Sequence, residues 1–282
     1  MSRRPRRNRP PLLDDLPFDT RAEDDAPRRP AGPTVRRRLL DARVTGPHPR
    51  LGREAVRAAA RALVAGDRRA RLGCDDLDGT SLDEVRAALV KTHGWDPEAP
   101  RAAIDPDATV AGLATAAARL QAAAAAGARV AVATSRPASL LGLAQWVAAE
   151  AAAGGARLLT CTTASIDGGG RRELWWIGDV AVVTDGQALL ASDGVPGGDD
   201  WLFAVGRPDL VVADRGFAGA ALRAGVEVVA WADLDAPALS LAAARGRPVV
   251  VVPLDEQRPA PAYRAVATVL GEATADGGRT PA

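Results

Sequence analysis

The chain has 282 residues, 47% of them hydrophobic, with 36 basic against 35 acidic side chains and a net charge of +1. That length can bury a substantial core, the charge balance gives no electrostatic case for nucleic acid, and Cys74 and Cys161 are too few and too far apart for a disulfide framework or a zinc site. No apolar run reaches membrane-spanning length and the arginine-rich start has no apolar h-region, so a soluble, cytoplasmic protein is expected.

Residues 1–35 are rich in Arg, Pro and Asp without apolar periodicity and read as a disordered tail. Residues 36–271 read as a single α/β domain, and 272–282 as a second disordered tail. Arg53–Ala65 has one apolar side, made by Val56, Ala60 and Leu63, and predicts a helix. Arg68–Cys74 reads as a short strand. Ser81 followed by Glu84 is a capping box that opens a helix running to about Thr92. His48 and His93 are the only histidines, and each reads as a surface or capping residue. No second His or Cys stands near either, so metal-ligand spacing is absent.

Asp105-Pro106-Asp107-Ala108-Thr109 matches the DxDxT pattern of haloacid-dehalogenase-type phosphatases, in which the first Asp is the nucleophile at the end of a buried strand. The residues before Asp105 do not read as such a strand, so a helix cap at Asp107 is expected instead. Val110–Ala126 is an Ala-rich helix and Arg129–Ala133 a strand. The polar loop Thr134-Ser135-Arg136-Pro137-Ala138-Ser139 follows, then a helix from about Leu140 to Ala153. Strand, polar loop and helix start suit an anion, with hydroxyls from Thr134, Ser135 and Ser139 and a guanidinium fork from Arg136. Arg157–Thr162 reads as another strand and Asp167–Gly170 as a turn. Leu174–Ile177 and Val180–Thr184 are apolar runs, and Asp185-Gly186 is a tight hairpin turn. Trp175 and Trp176 should face opposite sides of a strand. Gly194–Asp200 reads as a flexible loop.

From Arg207 to Leu254 the chain alternates buried strand and short helix. Asp209–Ala213, Val226–Ala232 and Pro248–Val252 are continuous apolar runs, which suit strands covered on both faces. Phe217–Arg223 and Pro237–Arg245 are the helices between them. The strands run into Asp214-Arg215-Gly216, Asp233-Leu234-Asp235 and Leu254-Asp255-Glu256, and ligands of open α/β sheets sit outside such carboxyl ends. The bland reading of Asp214 and Asp235 is that each caps the helix after it. A terminal helix is expected over Tyr263–Leu270.

ATSRPASLL at 133–141, DVAVVTDG at 179–186, PDLVVADRGFAGAAL at 208–222, ADLDAPAL at 232–239 and VPLDEQRPAPAY at 252–263 together resemble a family of mainly actinobacterial proteins described as phosphatases. The resemblance reaches forward to AGDRRARLG near 65–73 and IDPDATV at 104–110, so it covers most of the folded chain. It implies phosphatase-type chemistry at the strand ends. The family pattern has histidine where this chain has Arg136 and Arg215, a Cys-Asn-Asp run at Leu234-Asp235-Ala236, and further histidines after Gly186. Arginine holds an anion but serves neither as base nor as metal ligand at neutral pH.

The resulting expectation is a mainly parallel central sheet flanked by helices, Rossmann-like and three-layered, with a helical N-terminal portion. A small phosphorylated molecule would be hydrolysed or bound at the carboxyl edge. Arg136 and Arg215 would hold the phosphate, with Thr134, Ser135, Ser139, Gly216 and Asp235 around it. Asp214 and Asp233 would polarise a water or hold a divalent cation, Mg2+ or Mn2+, with Asp185 and Asp255 as helpers. The alternatives are a catalytically inactive anion-binding or regulatory module, and a dehalogenase-type enzyme using Asp105.

Overall fold

The computed structural model describes residues 34–166, 171–192 and 195–277. The expected tails up to 33 and beyond 277, and the turn at 167–170, lie outside those residues. Val35–Asp41 (α1) opens the described fold, capped by the Thr34 side chain. Gly46–Gly52 (β1) leads into Arg53–Val64 (α2). Arg68–Arg71 (α3) is a single helical turn, not the strand expected at 68–74: Asp67 accepts from the N–H groups of Arg69 and Ala70, which starts a helix. Ser81 caps Leu82–His93 (α4), as its sequence requires.

Arg101–Ile104 (β2) is a strand after all, but it pairs antiparallel with β1 alone and forms a separate two-stranded sheet. Asp105, not Asp107, caps the following helix, Pro106–Ala125 (α5), with Pro106 at its first position. The buried central strand that a dehalogenase-type nucleophile needs therefore does not precede Asp105.

The main sheet begins with Arg129–Ala133 (β3), followed by Pro137–Ala153 (α6). Arg157–Leu158 (β4) is only two residues long, shorter than the run expected there, and Thr163–Ser165 (β5) follows it. Glu173–Ile177 (β6) and Val180–Thr184 (β7) pair as a hairpin that turns at 178–179, not at the expected Asp185-Gly186; that later turn leads only to an isolated antiparallel bridge, Thr184 with Leu189, and Asp185 holds it by accepting from the N–H groups of Gln187 and Ala188. Val195–Val205 (α7) is helical where a flexible loop was expected. Leu210–Asp214 (β8), Arg215–Arg223 (α8), Glu227–Ala232 (β9), Pro237–Ala244 (α9) and Val249–Pro253 (β10) complete the βαβαβ run. A 3-10 turn at Ala260–Tyr263 leads into Arg264–Gly277 (α10), longer than its expected span.

The strand order is β10-β9-β8-β3-β7-β6-β5, with β4 beside the start of β3. The five strands β10, β9, β8, β3 and β7 are parallel; β6 and β5 continue antiparallel. Alternation along the strands divides the core. Ala131, Ala133, Val211, Ala213, Val228 and Ala230 pack with residues of α2, α4, α8 and α9 on one face. Val130, Val132, Leu210, Val212, Val229 and Trp231 pack with α5, α6 and α10 on the other. Trp176 packs with the first set and Trp175 with the second, both half-buried.

Two glycines permit close approaches. A Cβ on Gly219 of α8 would stand 1.7 Å from the Leu72 carbonyl oxygen, so α8 can pass the α3 segment only without a side chain there. A Cβ on Gly112 of α5 would stand 2.9 Å from the Val251 carbonyl oxygen, so α5 lies directly along the outer strand β10. Thr109 of the same helix donates to the Pro253 carbonyl at 2.8 Å.

Chain direction reverses between β3 and β8. From β3 the chain crosses to β4 and later β7 on one side; from β8 it crosses to β9 and β10 on the other. The helices after these two strands, α6 and α8, fall on opposite faces. Such a switch point leaves a crevice at the carboxyl ends of the two strands.

Candidate functional site

Asp214, the last residue of β8, lies at that switch point. It stands at the N-cap position of α8 yet makes no side-chain capping bond, so the bland reading fails here. Its carboxylate crosses instead to the turn after β3. Oδ1 accepts from the Ser135 N–H at 2.8 Å and from the Ser135 hydroxyl, and Oδ2 accepts from the Thr134 hydroxyl. Thr134, Ser135 and Asp214 are all buried. The hydroxyls expected to meet a phosphate are thus spent on Asp214, which fixes the turn that carries Arg136.

Arg215 opens α8 with φ +43, in the left-handed region that non-glycine residues avoid. Its buried guanidinium donates to Asp235 Oδ1 and to Glu256 Oε2, each at 2.6 Å. Two carboxylates therefore engage the fork expected to hold phosphate. Arg136 approaches the same Glu256 Oε2, with Nε 3.8 Å away, and its guanidinium donates to the Ser192 carbonyl at 3.3 Å. Asp235 does not cap α9 either, whose N-cap is Ala236.

His48 joins from β1. The β1–β2 register jumps from Pro47↔Ala103 to Gly52↔Arg101, so residues 48–51 bulge out of the ladder. The bulge turns His48 inward with its side chain fully buried. Nε2 is 3.1 Å from Asp233 Oδ2 and 3.5 Å from Asp255 Oδ1. Nδ1 accepts from the backbone N–H groups of Arg50 at 3.1 Å and Leu51 at 2.8 Å. Burial lowers the proton affinity of the ring, while the two carboxylates raise it. Against them stand those two backbone donors: an imidazolium would turn its Nδ1 proton towards both. The geometry therefore holds the ring as the neutral tautomer that donates from Nε2 to Asp233. His93 is a different case. Fully buried as the last residue of α4, it is pushed down to about 4 by burial and its Nε2 lies 3.2 Å from the Ala232 carbonyl oxygen, a structural link to β9.

Five acids gather at this edge, Asp214, Asp233, Asp235, Asp255 and Glu256, against the guanidinium groups of Arg136 and Arg215. The surplus negative charge shows in the titrating groups. Burial pushes Glu256 up to about 8; Arg215 pulls it down, and Asp214, Asp235 and Asp233 push it further up. Burial also raises Asp233, with His48 opposing. Asp255 Oδ2 and Glu256 Oε1 are buried without a hydrogen-bond partner.

His48, Asp233 and Asp255 offer ligand atoms within 4.8 Å of one another. The carboxylate oxygens suit a hard divalent cation such as Mg2+ or Mn2+, and the unpartnered Asp255 Oδ2 would be satisfied by one. His48 fits less well as a ligand, because a metal on Nε2 would force the ring proton onto Nδ1 among its backbone donors. A cation here would rest on Asp233 and Asp255.

Outside the acids lies a cleft of about 500 Å3 lined by Arg50, Arg136, Ser139, Ala191, Gln257 and Arg258. Ser139 also donates to the Glu256 carbonyl at 2.6 Å, which ties the cleft wall to the buried set. Arg136, Arg215, Asp214, Asp233, Asp235, Thr134 and Ser135 thus occupy one edge of one sheet. Gly216 is buried in the first turn of α8, where its carbonyl oxygen would stand 2.8 Å from a Cβ on Gly198 of α7. Asp185 is exposed in its own turn. Sequence reasoning missed His48, Arg50 and Arg258 and left Glu256 without a role. A signal existed only for His48: Pro47 and Pro49 flank it, and the residue before a proline is held extended.

The Phosphatase family model matches residues 30–275. A curated relative from Streptomyces coelicolor, described as Phosphatase SCO2771, is 35% identical over 216 residues, which covers 72% of this chain and 80% of the relative. No described helix is long and apolar enough to cross a membrane. With most of its length matched, the chain belongs to this phosphatase family.

Proposed function

We propose that the chain binds a small phosphorylated molecule in the cleft at the carboxyl edge of the sheet and hydrolyses its phosphomonoester there. One observation carries the reading: at the switch point, Arg136 faces a cleft on one side and the buried acids on the other. Arg136 would hold the phosphate, and Asp214 would act through the turn it fixes. Asp235, the partly exposed acid beside Arg215, is the carboxylate able to meet a water. Where no cation sits on it, Asp233, raised by burial and linked to His48, is suited to take up a proton as that water attacks. A divalent cation on Asp233 and Asp255 would supply charge neutralisation.

A second reading is a binding module without turnover. It is favoured by the enclosure of Asp214, Asp233 and Glu256 and by the commitment of the Thr134 and Ser135 hydroxyls to Asp214. A panel of phosphomonoesters, assayed with Mg2+ or Mn2+ and without either, separates the two. Hydrolysis that falls at least a hundredfold in Asp233→Asn, with the fold intact, supports the enzyme. Binding of phosphate compounds without turnover under any of these conditions supports the module.

A further inference from the structure

The cleft holds more positive charge than one phosphate needs. Three guanidinium groups reach it from three separate elements: Arg50 from the β1 bulge, Arg136 from the turn after β3, and Arg258 from the loop after β10. No Asp or Glu lines it. Several other arginines of this chain meet carboxylates, as in Arg129 with Asp209, Arg223 with Asp75, Arg245 with Glu84 and Arg247 with Asp76. Among the described residues Arg50 and Arg258 have no such partner. Arg50 donates to the Gln257 side chain at 3.0 Å, and Arg258 has a buried Nε with no hydrogen-bond partner.

The charges also differ in their neighbours. Arg136 leans towards Ser192, beside Ala191, and is the arginine of the cleft that approaches the buried acids, through Glu256. Arg50 leans on Gln257, next to Arg258. An arginine fork is matched by a phosphate or carboxylate, and forks gathered without a carboxylate of their own, as those of Arg50 and Arg258 are, hold together against their repulsion when an anion lies between them. The volume of about 500 Å3 lies within the usual range for small-molecule sites.

We infer that the ligand of this cleft is a small molecule bearing two phosphate groups, one on Arg136 beside the buried acids and one on Arg50 and Arg258. The inference rests on the reading above that this cleft receives the phosphorylated ligand. It does not require turnover, because the second phosphate is recognised rather than cleaved.

The test is calorimetric binding of propyl phosphate and of propane-1,3-diyl bisphosphate to the full chain at fixed ionic strength. The bisphosphate should bind at least tenfold more tightly. Arg50→Gln and Arg258→Gln should each bring that ratio down several-fold, since a charge-assisted bond is worth a factor of about ten or more. Arg136→Gln should weaken both ligands. Equal affinity of the two compounds for the wild type overturns the two-phosphate ligand while leaving a phosphate site intact. A ratio unchanged in both outer variants, with folded protein by circular dichroism, overturns it as well. If neither compound binds with or without Mg2+, the phosphorylated-ligand reading itself fails, and this inference with it.

Discussion

Between pH 6.5 and 8 the folded chain should lose stability, and Glu256 is the main reason. Its side chain is fully buried; Oε2 accepts from Arg215 Nε at 2.6 Å and Oε1 has no partner. Burial raises its carboxyl from the ordinary 4.5 to about 8. In the unfolded chain the group is ionised throughout this window, whereas the folded chain retains its proton until the pH passes about 8. Folding then takes up a proton, so the stabilisation is complete below the unfolded value and is lost as pH rises through the folded one. One group changes stability by at most about 1.4 kcal/mol per pH unit, hence by no more than about 2 kcal/mol over this range. His93 acts in the opposite sense, mainly below its ordinary value, because its proton affinity is lowered to about 4. Glu256→Gln keeps an acceptor for Arg215 and removes the titration. Urea unfolding of both proteins at pH 6.5, 7.2 and 8.0 gives the difference in stability between them. That difference should shift in favour of the Gln variant as pH rises. A difference that stays flat, or shifts the other way, refutes a neutral Glu256.

Three further outcomes follow from the geometry. Asp214→Ala strands the Ser135 N–H and two buried hydroxyls and should cost about 3 kcal/mol in urea unfolding, and less than about 1 kcal/mol would show that the turn after β3 does not depend on Asp214. Gly219→Ala would set a methyl 1.7 Å from the Leu72 carbonyl oxygen and should cost about 3 kcal/mol or more, whereas Gly225→Ala, with no atom near its Cβ, should pay only for its left-handed φ of +74, about 1 kcal/mol. Long-range 1H–15N spectra at pH 7 should show His48 protonated on Nε2 and not on Nδ1; the signature of an imidazolium would reverse the assignment drawn from Arg50 and Leu51.

The main sheet was legible because its central strands are buried on both faces, and continuous apolar runs such as VAVVT at 180–184 and LVVAD at 210–214 have few other solutions. Their acidic ends gave away the edge. The three residues that sequence reasoning missed come together across long chain separations. His48 meets Asp233 from 185 positions away, through a bulge whose register depends on a partner strand some fifty residues later. Arg50 and Arg258 were hidden in a different way: in a chain where nearly every cation is arginine, one more carries no local signal. The strand expected at 68–74 failed because one capping carboxylate, Asp67, turned three arginines and an alanine into a helical turn. The expected loop at 194–200 contains Pro196, Gly197 and Gly198, which look like helix breakers, but Gly198 is what lets α7 lie against α8.

The contact of Gly112 with Val251 bears on how copies of this chain can associate. Strand β10 would otherwise present a row of unpaired backbone groups at one end of the sheet, a ready template for another chain. With α5 seated on that row, an arriving strand meets helix backbone and the Pro253 carbonyl already engaged by Thr109. The opposite end of the sheet is β5, three residues long, too short to seed extended pairing. Substituting Gly112 by a bulky residue should therefore push α5 away from β10 and turn a protected boundary into an adhesive one, with aggregation rather than loss of binding as its first symptom.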